Sequence, residues 1–341
     1  MSTKSIQKTL GYQRFTLQDN LEYFKANHTK KQQTFAEDIA ISLKNEFKSI
    51  NPKYFYDDTG SKLFDKICHL PEYYPYNCEY SILKNIEKNL TPHFTDDIRL
   101  VELGSGLSTK TRLLINALFQ FQECVEYFPI DISDVLITSA KELCLDYNNL
   151  SVTGIIDTYE NGLDFIEHYD NKPNLITFLG SSFGNFSKED GNDFLKRIHD
   201  LMKSSDYFLI GLDLKKDSDI LFKAYNDTKG LTAKFNLNVL ERINRELDAD
   251  FNITKFAHQA SYNESKGRVE MYIRSLSNQT VNIPKANISL KLSENELIHT
   301  ENSHKFTISE IDIMFERIGL DIVQIWFDIN KYFGLILAKK F

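Results

Sequence analysis

From Asp97 onward the sequence alternates short apolar runs with stretches of helical spacing, and this alternation constrains the fold more than any other feature. The runs IRLVEL (98–103), VEYFPID (125–131), LSVTGIID (150–157), NLITFLG (174–180) and DYFLIGLD (206–213) read as strands. Between them, 108–121, 133–147 and 187–203 carry apolar residues at helical spacing. Repeated βα units imply a parallel sheet with helices on both faces. After Asp213 the alternation stops. Residues 217–247 look helical and 255–292 contain strand-like runs such as RVEMYIRS and ANISLKL. The pattern resumes at ISEIDIMFERIG, followed by DIVQIWFD and YFGLILA, which are too close together for a parallel crossover and so form an antiparallel pair.

An open α/β parallel sheet ending in an antiparallel strand is the Rossmann-like layout of nucleotide-binding and class I S-adenosylmethionine (SAM)-binding folds. The expected division places residues 78–215 and 305–341 in that domain. A smaller α+β domain combines 25–77 with the insertion 216–304, and 1–24 form an N-terminal extension. Two domains also suit 341 residues at about 150 per domain.

Composition removes several function classes. A net charge of −8 lacks the basic footprint of a nucleic-acid binder. No apolar stretch approaches the roughly 20 residues of a membrane span, and MSTKSIQKTLGYQRF has no apolar core of a secretory signal. Cys68, Cys78, Cys124 and Cys144 are scattered without CxxC pairing, which fits a reducing cytoplasm and a chain without disulfides. His69, His258, His299 and His304 show no metal-ligand spacing, so no metal is expected. The expected protein is cytoplasmic and monomeric, with a small-molecule substrate and neither nucleic acid nor membrane as partner. Aromatic residues make up 13% of the chain, and its 17 Tyr each carry a hydroxyl that needs a partner when buried. Some of these rings therefore suit a polar cavity.

VELGSGLSTKTR ends the first strand and opens a helix. Gly104 and Gly106 permit a tight turn and close approach to a ligand, and the helix N-terminus adds donor N–H groups. Asp131 ends the second strand, where an acid accepts hydrogen bonds from ribose hydroxyls. The third glycine of GxGxxG and the GK[ST] of a P-loop are both missing, which favours a nucleoside without a pyrophosphate.

YFYDDTGSKLFDKICHLPEYYP, VELGSGLSTKTR, FLGSSFGNF, AYNDTKGLTAKFNLNVLERINRELDADF and TENSHKF together resemble the histidine-specific SAM-dependent methyltransferases of ergothioneine biosynthesis. The resemblance runs from about residue 30 to the C-terminus. It implies trimethylation of the α-amino group of L-histidine to hercynine, using three SAM, with the smaller domain binding the substrate. Carried over motif by motif, it implies SAM contacts from Gly104, Lys110 and Asp131. The family's Asp-Phe pair reads Thr158-Tyr159 here, with Asp157 one step earlier. It places Tyr73, Asn185 and Tyr225 at the substrate carboxylate, Glu301 and Ser303 at the imidazole, and Tyr56, Phe64 and Gly180 around the amine.

These residue types suit the chemistry. Asn185 and tyrosine hydroxyls bind a carboxylate without adding a cation that would repel SAM. A quaternary ammonium product is stabilised by aromatic faces such as Tyr56, Phe64 and Tyr73. Glu301 accepts from one imidazole nitrogen and Ser303 serves the other, and spacing of i, i+2 puts both on one face of a strand. No residue stands out as a dedicated base.

Simpler readings exist for several positions. Tyr54, Tyr74 and Tyr76 read as interdomain packing and Asp57-Asp58 as a turn. Asn185 also reads as the cap of the following helix, Lys110 as a surface charge, and Glu301-Asn302-Ser303 in isolation as a polar loop. Two alternatives to histidine methylation stay open: the same fold acting on another α-amino acid, and a non-catalytic SAM-binding protein.

Overall fold

The computed structural model describes residues 11–26, 34–106 and 108–341. Residues 1–10 of the expected extension, 27–33 of the expected smaller domain, and Leu107 of the glycine turn lie outside the described residues.

The described chain opens with a hairpin, β1 (Tyr12–Gln18) and β2 (Leu21–Ala26), followed by α1 (Phe35–Lys44), α2 (Asp58–Cys68) and α3 (Tyr74–Leu90). The alternating region supplies β3 (Arg99–Leu103), α4 (Thr111–Phe119), β4 (Val125–Asp131), α5 (Val135–Asp146) and β5 (Leu150–Ile156). It continues with α6 (Tyr159–Tyr169), β6 (Asn174–Phe178), α7 (Lys188–Leu201) and β7 (Tyr207–Asp213). The insertion holds α8 (Ser218–Tyr225), α9 (Leu231–Leu247), β8 (Phe256–Asn263), β9 (Arg268–Ser275), β10 (Gln279–Ile283), β11 (Ile288–Leu292) and β12 (Leu297–His304). The chain finishes with α10 (Ile308–Ile318), β13 (Leu320–Phe327) and β14 (Phe333–Lys340).

Nine strands form one sheet in the order β1-β2-β5-β4-β3-β6-β7-β14-β13. Strands β2, β5, β4, β3, β6 and β7 run parallel, and β14 enters antiparallel between β7 and β13. This is the α/β sheet of class I SAM-dependent methyltransferases, with the expected terminal antiparallel pair. Its centre, RLVEL in β3, is buried throughout, as a strand covered on both faces requires. From β3 the chain first builds outward through β4 to β5, then crosses back to lay down β6 and β7. The switch beside β3 opens a crevice at the carboxyl ends of the strands, where ligands bind in such sheets.

The N-terminal residues differ from their expected role as an extension. Tyr12–Gln18 and Leu21–Ala26 extend the sheet, with Leu21 opposite Val152 and Lys25 opposite Ile156. The hairpin is fixed by few residues. Leu21 and Phe24 are buried, Tyr12 packs edge-on against Phe165 and Phe15 stacks on Tyr23, while Gln13, Arg14, Thr16, Gln18 and Lys25 are exposed polar positions. That polarity hides the strands in the sequence.

Outside the large sheet, β12, β9 and β8 form an antiparallel sheet and β10 pairs with β11. One hydrophobic core joins Ile39, Leu43, Phe55, Ile67 and Leu70 to Val239, Ile243, Met271, Ile273 and Ile298. The N-terminal segment and the insertion are thus halves of the same packing unit. Helix α3 leaves it, burying Ile82, Leu83, Ile86 and Leu90 against the large sheet.

Candidate active site

A cavity of about 970 Å³ lies between the carboxyl ends of the large sheet and the shared core. Gly104 follows β3, Asp131 ends β4, Gly180 follows β6, and Asp213 ends β7; all four line it. Tyr56, Phe64, Tyr73, Lys110, Tyr159, Asn185, Tyr225, Glu301 and Ser303 line the same cavity. Of the site residues expected from the sequence, Thr158 alone stands off this wall. Its hydroxyl accepts from Asn161 N and caps α6, so the residue is spent on starting the helix that presents Tyr159. Asp157 is likewise committed, accepting from Tyr12 Oη (2.8 Å), Thr158 N (2.7 Å) and Asn161 Nδ2 (2.9 Å).

On the cofactor side, Gly104 (φ +74°) and Gly106 (φ +49°) hold the left-handed conformations that glycine tolerates. A Cβ on Gly104 would stand 2.8 Å from Tyr159 Oη, so the turn and this ring are fitted to one another. Gly106 N and Ser133 N donate to the two oxygens of Asp131 at 3.3 and 2.9 Å, aiming the carboxylate. Ser105 and Ser181 each bury a hydroxyl oxygen without a protein partner on the cavity wall. A cradle without side-chain bulk, an oriented carboxylate and two unspent hydroxyls fit a nucleoside bearing an amino-acid tail. Gly104, Asp131 and Tyr159 would hold its nucleoside, and Lys110 its carboxylate.

On the opposite side, rings form a connected wall. Tyr56 meets Phe64 edge-on at 5.6 Å, Phe64 meets Tyr73 at 6.1 Å, and Tyr73 meets Tyr225 at 6.4 Å. Phe235 of α9 closes the set against Tyr56 and Phe64 at 5.7 and 5.8 Å. Tyr56 is 43% exposed on the cavity wall, and the protein around its phenol, then the nearby Glu301, raises that group well above its ordinary range. Tyr73 shifts the same way through burial and Tyr225. Both hydroxyls therefore stay protonated and can donate to a ligand. Asn185 ends a 3₁₀ turn, Ser182–Asn185, and the cap of α7 is Ser187, which accepts from Asp190 N at 3.0 Å. Asn185 is thereby released to the cavity wall.

Glu301 and Ser303 stand on β12, opposite Met271 and Val269 of β9. The segment is a strand held in a sheet, and its alternation presents both side chains to the cavity. Burial pushes the Glu301 carboxyl up to about 7, against the pull of Lys305. Ser303 Oγ accepts from Tyr225 Oη at 2.7 Å and from Lys305 Nζ at 2.8 Å.

Several residues of this site escape a reading of the sequence. Lys305 lies inside TENSHKF, two residues beyond Ser303, and Asp213 ends a strand as Asp131 does; chain position was the available signal for both. Phe235 lies inside AYNDTKGLTAKF without a distinguishing mark. Tyr74 donates to both oxygens of Asp213 at 2.9 and 2.8 Å, beyond the packing role expected of it. Tyr76 also lines the cavity, with the Lys110 ammonium 5.5 Å from its ring centre. Lys110 is half-buried, its ammonium paired with the buried Glu79 of α3 rather than lying free on the surface. Glu79 sits in EYSILKNIEKNL, which reads as an ordinary amphipathic helix.

Comparison with known proteins bears on this geometry. The family model for histidine-specific, SAM-dependent methyltransferases matches residues 35–340. The histidine N-alpha-methyltransferase of Mycobacterium tuberculosis is 36% identical over 304 residues, 89% of this chain and 94% of that protein. Ergothioneine biosynthesis protein 1 of Neurospora crassa is 29% identical over 89% of this chain, which spans 36% of that longer protein. An L-tryptophan methyltransferase of Psilocybe serbica is 27% identical over 86% of this chain and 88% of its own length. With the sheet topology, the glycine turn and a family match over nearly its whole length, the chain belongs to the histidine-specific, SAM-dependent methyltransferase family.

Proposed function

We propose that this protein methylates the α-amino group of L-histidine three times with SAM, giving hercynine, the first step of ergothioneine biosynthesis. The observation that carries this reading is the pairing of Glu301 and Ser303 on one strand, facing the cavity that the glycine turn enters from the other side. A carboxylate and a hydroxyl set on one face match the two nitrogens of an imidazole. An indole has one ring N–H and leaves one of the pair unmatched, which is costly in a buried site.

Bound SAM supplies a methyl carbon on a sulfonium, and as the amine nitrogen bonds that carbon the carbon–sulfur bond breaks and its electron pair returns to sulfur. The chain supplies placement. Tyr73, Asn185 and Tyr225 hold the substrate carboxylate, Glu301 and Ser303 hold its ring, and the amine then lies among Tyr56, Phe64 and Gly180. Burial and a neighbouring cation lower the pKa of an amine, so before each transfer the ammonium loses its proton to solvent without a dedicated base, and we assign none. Each methyl added turns the nitrogen toward a permanent cation, which the faces of Tyr56, Phe64 and Tyr73 stabilise by roughly 0.5–2 kcal/mol.

In this reading residues 78–215 and 305–341, with the N-terminal hairpin of the large sheet, are the catalytic unit, and the rest of 25–77 with 216–304 the substrate-binding unit. The setting is the cytoplasm and the working form a monomer; four unpaired cysteines support the former. Among the described residues no helix is long and apolar enough to cross a membrane.

The test is mass spectrometry of L-histidine incubated with the protein and SAM, beside tryptophan, tyrosine and phenylalanine. Mono-, di- and trimethylhistidine are expected. Turnover of tryptophan in preference to histidine would assign the cavity to an indole, and SAM binding without turnover of any amino acid would make the protein a SAM binder only.

A further inference from the structure

We propose that Glu79 is a positioning residue, which ties the cofactor side of the cavity to the amine side through one buried carboxylate. The inference rests on the functional reading above for the roles of Lys110 and Gly180. Glu79 lies on α3, has no solvent exposure, and sits among three other elements. Gly180 N, just beyond β6, donates to its two oxygens at 3.0 and 2.9 Å. Lys110 Nζ, at the start of α4, forms an ion pair with Oε2. On β7, a Cβ at Gly211 would stand 2.0 Å from Oε1 and 3.1 Å from the carboxyl carbon. The sheet is therefore cut away at Gly211 where this carboxylate enters.

Two consequences follow for the chemistry. Gly180 holds a left-handed conformation, φ +81°, at the peptide that borders the amine. Glu79 takes its N–H and so fixes that peptide instead of leaving it to a ligand. Lys110 Nζ lies 3.6 Å from the point a Cβ of Gly180 would occupy. Burial opposes the charge on Lys110, but Glu79 outweighs it and holds the pKa above the ordinary value. The ammonium thus offers hydrogen bonds to the cofactor's carboxylate while its charge is balanced locally, so it adds little repulsion toward a sulfonium nearby. The same carboxylate sets both partners, so a shift in one is passed to the other.

The test uses the full-length protein and three variants, with SAM affinity read by calorimetry, turnover by product mass, and folding by thermal melting. Glu79→Gln keeps an acceptor for Gly180 N–H but loses the charge that holds Lys110. A SAM Kd about tenfold weaker and a kcat at least tenfold lower are expected, with the KM for histidine within twofold. Glu79→Asp keeps the charge but withdraws it from Gly180, so kcat falls while the SAM Kd stays within threefold. A purely structural ion pair would lower the melting temperature of both variants and leave kcat and Kd of the folded protein unchanged, and that result overturns the proposal. Should Glu79→Gln fail to fold, a wild-type kcat in Glu79→Asp overturns it equally. Lys110→Met separates the two readings. If it weakens SAM binding while Glu79→Gln does not, the role of Glu79 fails alone. If it leaves SAM binding intact, the cofactor assignment of Lys110 fails, and with it the basis of this proposal.

Discussion

Lys305 Nζ lies 2.7 Å from Asp213 Oδ2, and neither side chain is exposed. Asp213 also pairs with Lys216 and accepts from Tyr74, so a strand end of the large sheet is bonded to the chain entering α3 and to the end of β12. Burial raises the cost of the Asp213 charge, but Lys305 and Lys216 more than reverse it and hold the carboxyl below its ordinary range. Lys305 also donates to Ser303 Oγ and, at 3.1 Å, to Tyr225 Oη. In the free protein Tyr225 donates to Ser303 as well; a substrate carboxylate that takes the Tyr225 hydrogen leaves Lys305 as the donor that orients Ser303 toward the ring.

Lys305→Met should therefore act twice. Removing one partner of a buried ion pair costs about 3–5 kcal/mol, and with Lys216 remaining on Asp213 the lower end is expected in urea unfolding. Histidine binding should weaken by calorimetry while SAM binding is retained. Equal losses for both ligands would show that the cavity as a whole had collapsed.

For Glu301, stability and binding are expected to move in opposite directions. Its carboxyl titrates near the ordinary 4.5 when unfolded and near 7 when folded. Between those values the folded protein holds the extra proton, so its contribution to stability declines as pH rises. Glu301→Gln should raise the melting temperature of the ligand-free protein at pH 8 and remove that decline. Glu301→Ala should weaken histidine binding by about 2–3 kcal/mol, the scale of a charged hydrogen bond. Unchanged histidine affinity in calorimetry would remove Glu301 from the ring site.

On the cofactor side, Asp131→Ala should weaken SAM binding and leave the circular dichroism spectrum intact. Gly104→Ala should do so through the backbone, because an L-residue in that region costs about 1–2 kcal/mol and its methyl would meet Tyr159 Oη at 2.8 Å. Adding Tyr159→Phe to Gly104→Ala relieves the contact but not the strain, so recovery should be partial. Full recovery would mean that the turn conformation contributes nothing.

The ring wall makes a prediction about products. Phe64→Leu keeps apolar volume and loses a π face, so it should slow the later methylations most, where cationic character at nitrogen is greatest. Accumulation of mono- and dimethylhistidine in a time course is the expected signature. A uniform slowing of all three steps would make Phe64 a packing residue.

What was legible in the sequence follows from how interactions are spaced along the chain. The βα alternation, the glycine turn and Asp131 are local patterns, and each lay where expected. Glu301 and Ser303 were legible as a motif, but their shared face required β12 to exist as a strand. Glu79, Asp213 and Lys305 owe their roles to partners far away in sequence: Glu79 meets Gly180 across 101 positions. No periodicity records such a meeting. Thr158 shows the converse, because a residue aligned with a binding position was claimed by the nearest helix as its cap.

The N-terminal hairpin carries a consequence for how the protein is made. Its strand is synthesised first, yet the edge that receives it lies about 130 residues downstream, where Asn20 Nδ2 donates to Leu150 O. Pairings of such separation form slowly, since the loop must close before any contact rewards it. Until then β5 is an open edge, with Leu150, Val152, Ile155 and Ile156 along it, and open apolar edges recruit other chains. Deleting residues 1–26 should therefore yield a protein that aggregates during refolding, and the same short hairpin that escapes notice in the sequence would prove to be the molecule's guard against itself.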